Sequence, residues 1–143
     1  MRHTLPIALL LLTAAGLTGC GSDLATNAAR GRYYPEARPI GPPLPIEVVR
    51  VDNEHIRFDN RGVTAFTDVK VWLNRQYGGL VDRIPVGRSK PVALLDFVNH
   101  HRERYPIAGF LSPDRSQALI MAGVEIDGQI RKLPVRLEED WRE

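Results

Sequence analysis

Three places in this chain of 143 residues hold side chains of types that could do chemistry. One is Cys20, the only thiol, which follows an apolar run. Another is Asn99-His100-His101-Arg102-Glu103, where imidazoles and a carboxylate crowd together. His100, His101 and Glu103 carry donor types that zinc accepts, and a site there would make the chain a metal-dependent enzyme. Zinc needs three or four converging donors, however, and neighbours on extended chain point apart, with no second cluster to complete a set. A solvated loop is the competing expectation, and no metal is assigned. The last place is Trp72 with Lys70 and Asp68. On extended backbone these alternate residues share one side. An outward indole beside charges is a flat platform for a sugar ring or a partner's side chain. The competing expectation is that the preceding linker or the long loop after Asn99 covers Trp72, since large apolar side chains are seldom left bare.

Other chemistry is missing from the pattern. There is no G-x-S-x-G, no phosphate-binding loop, no H-E-x-x-H and no zinc knuckle. Ser22, Ser89, Ser112 and Ser116 have no catalytic context, and Asp68, Asp82, Asp96 and Asp114 are scattered through strand and turn patterns. The chain is therefore expected to be no enzyme and to need no cofactor. Its formal charge is only +2, which leaves no electrostatic footprint for nucleic acid.

The elements that must position these residues begin at Ile46. From there apolar residues recur with period two, the mark of strands with one buried face. Ile56 and Phe58 alternate with His55, Arg57 and Asp59. Val69, Val71 and Leu73 alternate with Asp68, Lys70 and Trp72. Ala118, Ile120, Ala122, Val124 and Ile126 fall on one side of a further strand, and Leu133, Val135 and Leu137 on one side of the last. "PVALLDF" after Gly87 reads as another strand. Turns are expected at Asp52-Asn53, at Gly78-Gly79 and, most clearly, at Asp127-Gly128, where both central positions need positive φ. Pro134 cannot donate to a ladder, so it predicts an edge or a bulge. Tyr105 before Pro106 suits a buried tyrosine whose hydroxyl bonds backbone at a sandwich corner. Nothing reads as a long amphipathic helix. About seven short strands with frequent turns predict an all-β fold, a single small β-sandwich over residues 46–143. A single cysteine gives no internal disulfide, so the core alone must hold it.

Before the domain, Arg2, the apolar run Leu5–Leu12 and small residues up to Gly19 read as a secretory signal, residues 1–19, too short to cross a bilayer. Leu17-Thr18-Gly19-Cys20 resembles the lipobox of bacterial lipoproteins. That resemblance implies cleavage before Cys20, acylation of its thiol, and a membrane anchor made stable by two or more acyl chains. Gly21 stands where inner-membrane lipoproteins of Gram-negative cells often carry Asp, which implies the outer membrane in such a host. Five of the eleven prolines, Pro35, Pro39, Pro42, Pro43 and Pro45, favour extended backbone, so residues 20–45 read as a lipidated tether. Tyr33-Tyr34 packs on the domain or sits at a lipid interface. Trp141 in the acidic tail covers an edge or docks on a partner.

"IRFDNRGVTAFTDVKVWLN" resembles the second and third strands of small bacterial Ig-like or fibronectin type III-like modules. With the lipobox, it implies an envelope protein whose sandwich is a non-enzymatic protein-interaction module. The expected partners are the membrane, through the anchor, and an envelope protein. Carbohydrate or peptidoglycan binding, with cell-wall polymer held on an exposed sheet face, is the alternative.

Overall fold

A computed structural model of the protein describes residues 31–109 and 116–138. Cys20, the signal segment and Trp141 lie outside the described residues. The strands are β1 (Ile46–Arg50), β2 (His55–Asn60), β3 (Phe66–Leu73), β4 (Tyr77–Ile84), β5 (Gly87–Arg88), β6 (Val92–Ala93), β7 (Ala122–Ile126), β8 (Gln129–Leu133) and β9 (Val135–Leu137). They form two sheets packed as a sandwich. The first sheet has the order β5-β2-β1-β9, with β6 also paired to β2, and the second the order β4-β3-β7-β8. All pairings within these sheets are antiparallel except β1 with β9.

The core sits between the sheets and is built from the alternating apolar residues. Ile46 and Val48, Ile56 and Phe58, Val69, Val71 and Leu73, and Ala122 and Val124 all enter it. β3 does not alternate throughout. Phe66 and Val69 both pack on the core, although they differ in parity. Asp68 between them has φ 51°, and this left-handed residue resets the pleat. β4 makes the same change between Val81 and Ile84, both in the core.

Several expected elements differ, each for a physical reason. The turn after β3 falls at Asn74 and Arg75, with φ 50° and 56°, and Gly78-Gly79 lies inside β4. Those glycines make room for rings. A Cβ on Gly78 would stand 2.9 Å from Trp72 Cζ3, and one on Gly79 would stand 2.7 Å from Phe97 Cδ1. "PVALLDF" pairs only at Val92–Ala93, then a 3-10 turn, Leu94–Asp96, drops buried Leu94 and Phe97 into the core. Ala118 to Met121 do not extend β7. The Asn74 side chain takes their backbone groups, donating to Ala118 O and accepting from Ile120 and Met121 N–H. The expected last strand divides at Pro134 into β8, on the edge of the second sheet, and β9, on the edge of the first. Asp127-Gly128 forms the expected hairpin turn, with φ 51° and 74°.

Tyr105 is buried, and its hydroxyl donates to Gln117 O at 3.1 Å. Its ring meets Tyr77 edge-on, at 5.0 Å between centroids. The buried Arg50 guanidinium lies 6.0 Å from that ring and donates to the carbonyls of Asp52, Asn53 and Gln117. Burial pushes the pKa of both Tyr77 and Tyr105 above the ordinary tyrosine value.

Two outcomes follow from this packing. Gly79→Ala forces a methyl against the immobile Phe97 ring and costs about 1–3 kcal/mol of stability. Gly109→Ala, with nothing within 4 Å, stays near neutral; denaturant midpoints compare the two. The raised tyrosine pKa values mean that folding favours the neutral phenols. That contribution is intact below pH 10, the ordinary tyrosine value, and is lost as pH rises through the folded values. Alkaline titration should therefore show the phenolate absorbance of Tyr77 and Tyr105 growing in late, together with loss of the β circular dichroism signal. Their titration at ordinary pH with the fold intact would contradict this.

Candidate functional site

Trp72 lies on the outer side of the second sheet, away from the core formed by Val69, Val71 and Leu73, as alternation requires. It is nevertheless only 2% exposed. The Tyr34 ring meets it edge-on at 5.6 Å, and the Arg75 guanidinium sits 5.9 Å from the Tyr34 ring. Ile40 forms a parallel bridge with Ile130. Gly41 N–H donates to Ile130 O at 2.9 Å, and Ile130 N–H donates to Pro39 O at 3.0 Å. Arg38 forms an ion pair with Glu125. Residues 33–41 thus form a strap on the sandwich, within the segment the sequence presented as a tether. Extended proline-rich backbone has free carbonyls and amides, so it can pair with the edge of β8 while its apolar side chains cover the indole.

The trio Trp72, Lys70 and Asp68 is not assembled as an open face. Trp72 donates from Nε1 to Glu125 Oε2 at 3.4 Å. Lys70 Nζ stands 3.5 Å from the same carboxylate oxygen. Asp68 is exposed at the pleat reset and joins neither. Glu125, which links Trp72, Lys70 and Arg38, carried no signal in the sequence, because its place opposite Lys70 depends on the β3–β7 register.

The loop from Asn99 is organised by Asn99 itself. Its Oδ1 accepts from His101 and Glu103 N–H, and its Nδ2 donates to Glu103 Oε2 at 2.7 Å. His100 stacks on exposed Tyr33, with centroids 4.3 Å apart. Glu103 is thus held by an amide and not aimed at the imidazoles. Among the described residues, no group of three or more His, Cys, Asp or Glu side chains converges to hold a metal ion.

The outer side of the first sheet carries a chain of alternating charges. Arg57 Nη1 donates to both Glu138 oxygens at 2.7 Å, and its Nε donates to Asp59 at 3.0 Å. Arg136 joins Asp59 at 3.4 Å to Glu47 at 3.3 Å, and Arg61 reaches Glu47 at 3.4 Å. These charges neutralise one another and fasten β9 beside β1.

Among the described residues, the largest of the open places lies along β4. A cleft of about 900 Å³ runs between β4 and the segment Lys90–Ala93. Leu80, Val81 and Val92 give it an apolar floor, and Asp82, Asp96, Arg83 and Lys90 a charged rim. Arg83 and Lys90 form no ion pair among the described residues. An apolar floor with a charged rim is the make-up of a protein-binding patch. His55 stands at one end, its Nδ1 3.0 Å from both Asp52 carboxylate oxygens. Burial works against the Asp52 carboxylate. Hydrogen bonds from the Glu54 and His55 N–H groups and the His55 ring outweigh it, and hold the pKa below the usual aspartate value. The His55 ring bonds no Ser, Thr, Tyr or Cys side chain among the described residues, so no nucleophile is paired with this base. No protein-family model, curated protein or solved structure matches the chain.

The covered indole has a measurable consequence. Trp72→Ala should cost about 3–5 kcal/mol, as for a core aromatic, whereas an open platform would leave the melting temperature nearly unchanged. In a Trp141→Phe background, where Trp72 is the sole indole, Tyr34→Ala should redden its fluorescence and raise its quenching by acrylamide. No change on removing Tyr34 would show that the strap does not cover it.

Proposed function

We propose that this protein is a lipid-anchored envelope protein whose sandwich is a non-enzymatic module binding another protein through the cleft between β4 and Lys90–Ala93. The observation that carries the reading is that cleft. The outer sides of the two sheets are occupied, one by the strap and one by its own ion pairs, while the cleft keeps apolar surface in the open beside Arg83 and Lys90, which form no ion pair among the described residues. Binding there needs no catalytic residue and no cofactor. The lipobox residues Leu17-Thr18-Gly19-Cys20 support anchoring through Cys20, at the outer membrane in a Gram-negative host. With Trp72 covered, the carbohydrate platform loses the residue it was built on.

Photo-crosslinking in intact cells tests the reading, with the reactive side chain placed in turn at Arg83, Lys90 and the fully exposed Val63. One defined envelope protein should be captured from Arg83 and Lys90 and not from Val63. Cys20→Ser should release the chain from the membrane fraction and abolish that capture. No protein captured from the cleft, with the purified chain retained on cell-wall polymer, would replace this reading with carbohydrate binding.

A further inference from the structure

β4 is the outer strand of the second sheet, and one bridge tells which of its backbone groups face outward. Gly78 exchanges both hydrogen bonds with Val98, each at 3.0 Å. Gly78 therefore turns its N–H and C=O away from β3. In an antiparallel pair such orientation repeats at every second residue. Leu80, which follows Gly78 at that interval and precedes the change of pleat after Val81, directs its N–H and C=O groups the same way, into the cleft it lines. Among the described residues no backbone bond outside the strand ladders reaches Leu80.

We propose that an extended segment of a partner protein adds to β4 as a further strand, bonded to the backbone of Leu80. The proposal rests on the reading of the sandwich as an interaction module and names the form of its partner. Alternate apolar side chains of the segment lie against Leu80 and Val92. An acidic side chain beside them meets Arg83 and Lys90, which form no ion pair among the described residues and share the cleft with Asp82 and Asp96. Main-chain bonds supply affinity in such strand addition, and alternate side-chain contacts supply selectivity.

The test uses the full chain and a randomised heptapeptide library displayed on phage. Enriched peptides should alternate apolar with polar residues and carry an acidic residue. With an enriched peptide bound, hydrogen exchange at the Leu80 amide should slow about tenfold or more, while Val81, already paired with β3, stays unchanged. Leu80→Pro removes an outward donor and spares the β3 ladder, so it should weaken binding about tenfold. Should that variant fail to fold, N-methylation of alternate peptide residues gives the same answer: one set abolishes binding and the other is tolerated. Slow exchange of the Leu80 amide in the free chain would mean that the chain fills its own edge, and would overturn the proposal. So would peptides that bind without protecting this amide, or no enrichment at all, even where cells still yield a partner crosslinked at Lys90. In that last case the interaction module stands and strand addition falls; no enrichment and no crosslinked partner would remove both.

Discussion

The structure turns on β4 being clamped between two aromatic rings. Phe97 presses on Gly79 and Trp72 presses on Gly78. Adjacent residues of a strand face opposite sides, so one ring belongs to the core and the other to the outer layer. Neither ring reaches its place if a side chain occupies the glycine, and neither would be stable there without a cover. The core covers Phe97, and the strap with Tyr34 covers Trp72. Seating Phe97 also fixes Val98, which caps the edge of β4 at Gly78. The chain before Phe97 has come from β6, on the other sheet, so the cap extends no further. The open length of β4 is the other side of the same packing decision.

The remaining surface follows from how each sheet disposes of its polar residues. On the first sheet, acids and arginines from β1, β2 and β9 are linked in sequence. On the second sheet, Glu125 collects Arg38, Lys70 and Trp72. Exposed ion pairs contribute little to stability, but here they hold specific chain segments, β9 and the strap, in fixed places. At the loop end, Arg50, Asn53 and Asn74 do similar work with backbone carbonyls, pinning the long connection before β7.

Much of the fold was legible because alternation is a local property. The core sides of β1, β2 and β3 can be read residue by residue, as can the Asp127-Gly128 hairpin and the buried Tyr105. Gly78-Gly79 misleads because a glycine pair most often marks a turn. Its purpose here depends on Trp72, and on Phe97 far along the chain, which no local window contains. Pro134 was legible as an interruption, but not as the point where the chain changes sheets. The outward side of Trp72 was legible too, and its cover was one of two expectations; the choice between them rests on Ile40 finding the edge of β8. The cleft was not legible at all. "LVDRI" reads as any strand would, and being an edge is a property of strand order, not of a strand.

The strap shortens the leash. Cys20 and Pro45 are 45 − 20 = 25 residues apart, a reach of about 85 Å if fully extended. But Tyr33 already rests on His100, and only 33 − 20 = 13 residues separate it from Cys20, a reach of about 45 Å. A lipid on Cys20 would thus confine the sandwich to a shell of roughly half the radius. Since the volume searched falls with the cube of that radius, a partner seated in the same membrane would meet the module at an effective concentration raised about eightfold. A partner across a wide compartment would be out of reach. Detaching the strap would let the domain out by the difference, so in a chain anchored as proposed the contact that hides Trp72 would also set how far from the membrane the sandwich reaches.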